Sequence, residues 1–119
     1  MESAVIYACK CKSNGKLYIG STKNLANRIY RHKNEARKQA TDAPNGYIGK
    51  KSFYEDINIF GWDNFQWYVI EQEVPLDKRF EREDYWIEKY QTTNPMKGYN
   101  KINAQRSMRL PDDLIFGLP

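Results

Sequence analysis

Two alternating runs open the chain. Ala4–Cys11 and Lys16–Ser21 are rich in β-branched and aromatic residues and flank Asn14-Gly15, so they predict a β-hairpin. Asn24 is placed to cap a helix running to about Lys38, with Leu25, Ile29 and Ala36 on one face. Thr41–Gly46 holds Asp42, Pro44, Asn45 and Gly46 and predicts a loop. A second helix is predicted from about Gly49 to Phe60, striped by Phe53, Ile57 and Phe60 and terminated by Gly61. Phe65–Glu71 predicts a third strand. A third helix starts near Leu76, just after Pro75, and runs to about Tyr90. Thr92–Tyr99 is a loop, and residues 104–119, with two prolines and no clear period, form a tail. The order β-β-α-α-β-α predicts an α+β domain: one small antiparallel sheet packed against helices.

A chain of 119 residues suits one domain, expected over 1–103 with the tail at 104–119. Nine Tyr and three Trp argue against disorder. No apolar run approaches the roughly 18 residues that span a bilayer, and no membrane partner is expected. The N-terminus lacks the pattern of a signal peptide. Cys9 and Cys11 lie two apart on a strand, where a disulfide would be strained, and His32 is the only histidine, too few ligands for structural zinc. Two reduced, inert thiols point to a reducing, intracellular setting. The net charge of +4 is unevenly spread. Residues 1–51 hold 11 Lys/Arg against 3 Asp/Glu, and residues 52–119 hold 8 against 12. A basic first half suits a polyanion such as nucleic acid.

The candidate chemistry lies at five positions. Tyr7 and Tyr18 share one face of the hairpin if its loop has an even number of residues. A two-residue loop would separate them by about 13 Å along the strand, and a four-residue loop, Lys12–Gly15, by about 7 Å. If both tyrosines serve one site, the four-residue loop is preferred; Tyr18 then lies opposite Cys9, and Gly20 opposite Tyr7 leaves space beside it. Arg28 and His32 are four apart on the first helix, His32 inside its apolar stripe and Arg28 at the edge. On the third helix, Leu76, Phe80, Glu83, Ile87 and Tyr90 share one face, with Glu83 in the middle. A carboxylate there needs a partner: Arg28 in a salt bridge, or a divalent cation. Strand aromatics, a core histidine and a salt bridge would account for the same residues without catalysis. Taken together, they also suit phosphodiester hydrolysis. A cation on Glu83 polarises the phosphate, Arg28 stabilises developing charge, and a tyrosine moves a proton.

Over residues 4 to 103 the sequence resembles the GIY-YIG endonuclease family. The signature reads Val5-Ile6-Tyr7, ten residues, then Tyr18-Ile19-Gly20. Arg28 and His32 match the family's helix pair. Glu83, within Arg82-Glu83-Asp84-Tyr85-Trp86-Ile87, matches its metal-binding glutamate, and Asn100, within Gly98-Tyr99-Asn100, its late asparagine. The segment from Phe60 to Phe65 is similar to the turn before the family's third strand. The resemblance implies a three-stranded antiparallel sheet flanked by helices and one divalent cation, magnesium or manganese, on Glu83. It makes Tyr7 the candidate general base, with Tyr18, Arg28 and His32 positioning water and phosphate and Asn100 supporting the site. Val5 replaces the signature's first glycine. Ser21 stands where repair-type members often carry lysine; with the Trp86 and Gly98-Tyr99-Asn100 segments, this makes the chain more similar to phage homing endonucleases and their free-standing relatives.

The leading expectation is therefore a metal-dependent DNA endonuclease with no nucleotide cofactor. The alternatives are a catalytically silent nucleic-acid-binding module and a structure-specific repair or recombination nuclease of the same fold. Lys10, Lys12, Lys23, Arg31, Lys33 and Lys50 are expected to contact DNA phosphates. The tail, too short for a separate DNA-binding region, carries Leu110, Leu114, Ile115, Phe116 and Leu118. It is expected to dock on its own chain or, alternatively, on a second copy as a homodimer.

Overall fold

The computed structural model describes residues 2–42 and 53–101. The hairpin pairs β1 (Ser3–Cys11) with β2 (Leu17–Thr22) antiparallel, with Tyr7 opposite Gly20 and Cys9 opposite Tyr18. That is the register of a four-residue loop. The Cys11 amide donates to the Lys16 carbonyl at 3.0 Å, and the Gly15 amide to the Cys11 carbonyl at 2.8 Å. Gly15 turns the chain with φ of +78°, which a Cβ would oppose. The Asn14 side chain accepts from the Lys16 amide at 2.9 Å and so closes the turn.

The third strand, β3 (Phe65–Pro75), joins the other edge of β1 antiparallel, giving the order β2-β1-β3. It runs four residues beyond the predicted end at Glu71. Its polar Glu71-Gln72-Glu73 segment resembles a strand end, but a shift of register around Ile6 and a positive φ of 54° at Glu73 absorb the irregularity. Val74 then returns to the core opposite Ala4, at 1% exposure.

Helices cover both faces of the sheet. On one side lie α1 (Leu25–Asp42) and α2 (Phe53–Phe60). Cys9, Cys11, Ala36, Phe53, Ile57, Phe65 and Tyr99 form a core with them. On the other side α3 (Arg79–Tyr90) closes a core of Ile6, Ala8, Ile19, Val74 and Ile87. The alternation of β1 sends Tyr7, Cys9 and Cys11 to one layer and Ile6 and Ala8 to the other. Asn24 caps α1 as predicted, its side chain accepting from the Asn27 amide at 3.0 Å. The helix continues past Lys38 to Asp42, into the segment predicted as loop. Leu76–Lys78, predicted as the start of the third helix, is a separate 3-10 turn, and Leu76 stays exposed.

After α3 the chain folds back along the free edge of β2. The Leu17 amide donates to the Lys97 carbonyl at 3.1 Å, and the Tyr99 amide to the Leu17 carbonyl at 2.9 Å. Gly98 is required there, because a Cβ would lie 2.4 Å from the Thr92 backbone. Among the described residues no helix is long and apolar enough to cross a membrane. The predicted start of the second helix at Gly49, most of the Thr41–Gly46 loop, Lys50 and the tail at 104–119 lie outside the described residues.

Candidate active site

The site begins at the hairpin. Tyr7 is fully buried and Tyr18 half-buried, their ring centres 6.3 Å apart on the face that meets α1. Gly20 makes room for this. A Cβ on it would sit 2.5 Å from the Tyr7 hydroxyl oxygen, so any larger residue must displace the ring.

From α1, His32 enters an aromatic box. Its ring lies 6.0 Å from Tyr7, 5.4 Å from Tyr18 and 5.5 Å from both Phe53 and Trp67. Burial, reinforced by the charges of Arg28 and Arg31, pushes its pKa down to about 3, so it is neutral at physiological pH. Both ring nitrogens are engaged: Nε2 with the Tyr7 hydroxyl at 2.7 Å and Nδ1 with the Tyr54 hydroxyl at 2.8 Å. A neutral imidazole carries one N–H proton, so His32 donates from one ring nitrogen and accepts at the other: one of the two tyrosine hydroxyls donates to it and the other accepts. Arg28, one turn earlier, favours the ionised forms of Tyr7 and Tyr18 and so works against the rise that burial imposes on both hydroxyls.

Glu83 arrives from the opposite layer. On β2, Ser21 faces α3, and its hydroxyl donates to Glu83 Oε1 at 2.6 Å. Burial raises the carboxyl to about pKa 7, against the lowering effects of the Ser21 hydrogen bond and of Arg79. Its charge is felt at Tyr7 and Tyr18, whose hydroxyls it pushes further up, and Arg28 in turn stabilises it. The four residues thus share one electrostatic neighbourhood. A direct Arg28–Glu83 salt bridge, the alternative partner for the carboxylate, is not formed.

Asn100 has a scaffolding position. Its side-chain oxygen accepts from the Ile19 amide and its nitrogen donates to the Ile19 carbonyl, both at 2.9 Å. The amide thereby acts as a short extra strand against β2, holding the backbone between Tyr18 and Gly20. Its polar atoms are spent on that peptide and do not face the tyrosines.

Among the described residues, the cations expected to contact phosphate sit on different elements. Lys10 continues the β1 row of Ile6 and Ala8 on the α3 side, and Lys12 lies in the hairpin loop, both exposed. Arg31 and Lys33 are exposed on α1, where the Lys33 ammonium sits 5.7 Å from the Trp62 ring centre. Lys23 lies 3.5 Å from Glu2 on the surface.

Three residues of the site escaped the sequence reading. Tyr54 sits on a short helix beside the apolar Phe53 and gives no signal of its own. Ser21 stands out only as a departure from the lysine of repair enzymes. Arg79 was detectable, since it lies four residues before Glu83 on the same helix, where opposite charges meet.

The comparisons with known proteins agree with this fold. The family model of the GIY-YIG catalytic domain matches residues 3–100. No curated protein matches the chain. Two solved structures are similar to it. The catalytic domain of intron endonuclease I-TevI, in a mutant form, is 25% identical with a TM-score of 0.68, over 85% of this chain and 95% of that one. The catalytic domain of homing endonuclease I-TevI is 28% identical with a TM-score of 0.63, over 82% and 96%. With the signature tyrosines, the helix arginine and the α3 glutamate in one place on a three-stranded antiparallel sheet, the chain belongs to the GIY-YIG catalytic domain family and is an endonuclease.

Proposed function

We propose that this chain hydrolyses internal phosphodiester bonds of DNA with the help of one divalent cation, magnesium or manganese, as a homing-endonuclease-like or free-standing nuclease. The observation that carries this reading is the convergence of Tyr7, Tyr18, Arg28 and Glu83 around a buried, neutral His32. A module that only bound nucleic acid would have no use for a carboxyl raised to about pKa 7 by its own burial.

The residues suit a cation of this kind. Among the described residues no group of three or more His, Cys, Asp or Glu could enclose a metal. Magnesium does not need such a cage: one or two carboxylates, with water and substrate phosphate, suffice. Glu83 offers a hard oxygen donor whose Oε1 is fixed by Ser21, in a setting where burial makes a compensating positive charge favourable. When bound, the cation supplies polarisation of the phosphate and stabilises charge on the leaving oxygen.

The chain's own groups supply the rest. Arg28 presents planar donors to the negative charge that grows on the phosphate oxygens. Tyr7 handles the proton of the attacking water. Burial pushes its hydroxyl pKa well above the ordinary value of 10, and the opposing effect of Arg28 is smaller, so Tyr7 rests protonated. It acts as a base only when further positive charge favours its anion. Tyr18, also protonated, orients the phosphate with Arg28.

The test is incubation with supercoiled plasmid, with and without magnesium. Nicked or linear product that depends on magnesium is expected. Plasmid left intact but retained by the protein would overturn the reading in favour of a silent binding module.

A further inference from the structure

Arg79, the first residue of α3, lies one turn before Glu83. Residues four apart on a helix normally pair directly when their charges are opposite. Here they do not form an ion pair, and Ser21 stands between them. Arg79 Nε donates to the Ser21 hydroxyl oxygen at 2.8 Å, and Nη2 donates to the Ser21 carbonyl at 3.1 Å. The Ser21 hydroxyl donates onward to Glu83 Oε1 at 2.6 Å.

The direction of this chain is fixed by donor inventory. The guanidinium has no acceptor, so the Ser21 oxygen must accept from it. The single hydroxyl proton is then committed to Glu83. The two-point grip on Ser21 sets the guanidinium plane, and Ser21 is 7% exposed on a sheet strand, so little can rotate. A direct fork between Arg79 and Glu83 would instead occupy both carboxylate oxygens. The relay spares Oε2 such an engagement while holding the carboxylate in one orientation.

We propose that Arg79 is a positioning residue that, through Ser21, pre-orients Glu83 to receive the divalent cation. The inference rests on Glu83 being the cation's ligand. Arg79 touches neither substrate nor cation in this account.

Charge and geometry make opposite demands, which renders the proposal testable. As a mere positive charge, Arg79 repels a cation, and losing it would tighten binding. As a positioning group, it favours binding. Arg79→Lys keeps the charge and removes the planar two-point grip. Ser21→Ala keeps Arg79 and breaks the relay. Manganese binding to the metal-free protein is followed by the loss of the free-ion paramagnetic resonance signal, with thermal melts to verify folding. Loss of a partner that orients a metal ligand typically weakens metal binding about 10–100-fold. Arg79→Lys and Ser21→Ala should each weaken manganese binding to this degree, and the double variant should be no worse than either alone. Glu83→Gln separates the two failures. If it binds manganese like the wild type, the ligand assignment itself is wrong. If it loses binding while Arg79→Lys and Ser21→Ala bind normally, only the role of Arg79 is wrong. Should Arg79→Lys fail to fold, Ser21→Ala decides alone, its normal binding overturning the proposal.

Discussion

Burial favours the neutral forms of two titratable groups of the site, holding His32 near pKa 3 and Glu83 near pKa 7. The Glu83 shift has a defined sign for stability. Its carboxyl binds a proton more tightly in the folded chain than in the unfolded one, whose ordinary value is 4.5. Its contribution therefore falls as pH rises from about 4.5 through 7. Glu83→Gln should melt close to wild type at pH 5 and clearly above it at pH 8 in metal-free buffer, a gap that added magnesium narrows. An equal gap at both pH values would contradict the shift. Tyr7→Phe removes the hydroxyl held against His32 and should lower turnover by roughly 10²–10⁴-fold while leaving DNA affinity intact. An unchanged rate in single-turnover assays would move the proton-handling role to Tyr18 or His32. Gly20→Ala places a Cβ where the Tyr7 hydroxyl now lies, so its overpacking should cost about 1–3 kcal/mol in a denaturant melt. Cutting should fall with it, and wild-type values for both would show that the ring relaxes freely.

At the scale of elements, much was legible because periodicity and turn chemistry agreed. Asn14-Gly15 fixed the hairpin, and the demand that Tyr7 and Tyr18 serve one site selected the four-residue loop that is found. Asn24 marked the start of α1, and the stripe of α3 exposed Glu83 as an anomaly. What stayed hidden depends on tertiary partners. The end of β3 is set by its pairing with Ala4 across an irregular register, and no local pattern reports that. The Tyr7–His32–Tyr54 chain needs side chains from three elements, of which α2 carries no chemical signal in sequence. Asn100 was legible as a supporting residue, and its means of support is the Ile19 peptide of β2. Asn100→Ala leaves that peptide without its partners and should destabilise the fold by about 1–3 kcal/mol. A urea midpoint identical to wild type would show that water replaces the amide at no cost.

At the scale of the molecule, the described residues form a layered domain in which β2 is the meeting place. Tyr18 and Gly20 face α1 and α2, Ser21 faces α3, and the 98–100 segment braces the edge. Substrate recognition should be mainly electrostatic, because Lys10, Lys12, Arg31 and Lys33 are exposed and sit on three different elements, the first strand, the hairpin loop and α1. DNA affinity should then fall by close to one power of salt per phosphate neutralised, with little preference between unrelated duplexes. Salt-insensitive binding in a fluorescence-anisotropy titration would contradict this. The central claim, that Glu83 makes this domain a cation-dependent nuclease, is tested most directly by one comparison. The rate of conversion of supercoiled plasmid in magnesium is measured for the wild type and for Glu83→Gln, both verified as folded. The account predicts magnesium-dependent nicking or linearisation by the wild type and none by the variant. Equal rates for the two proteins would contradict it.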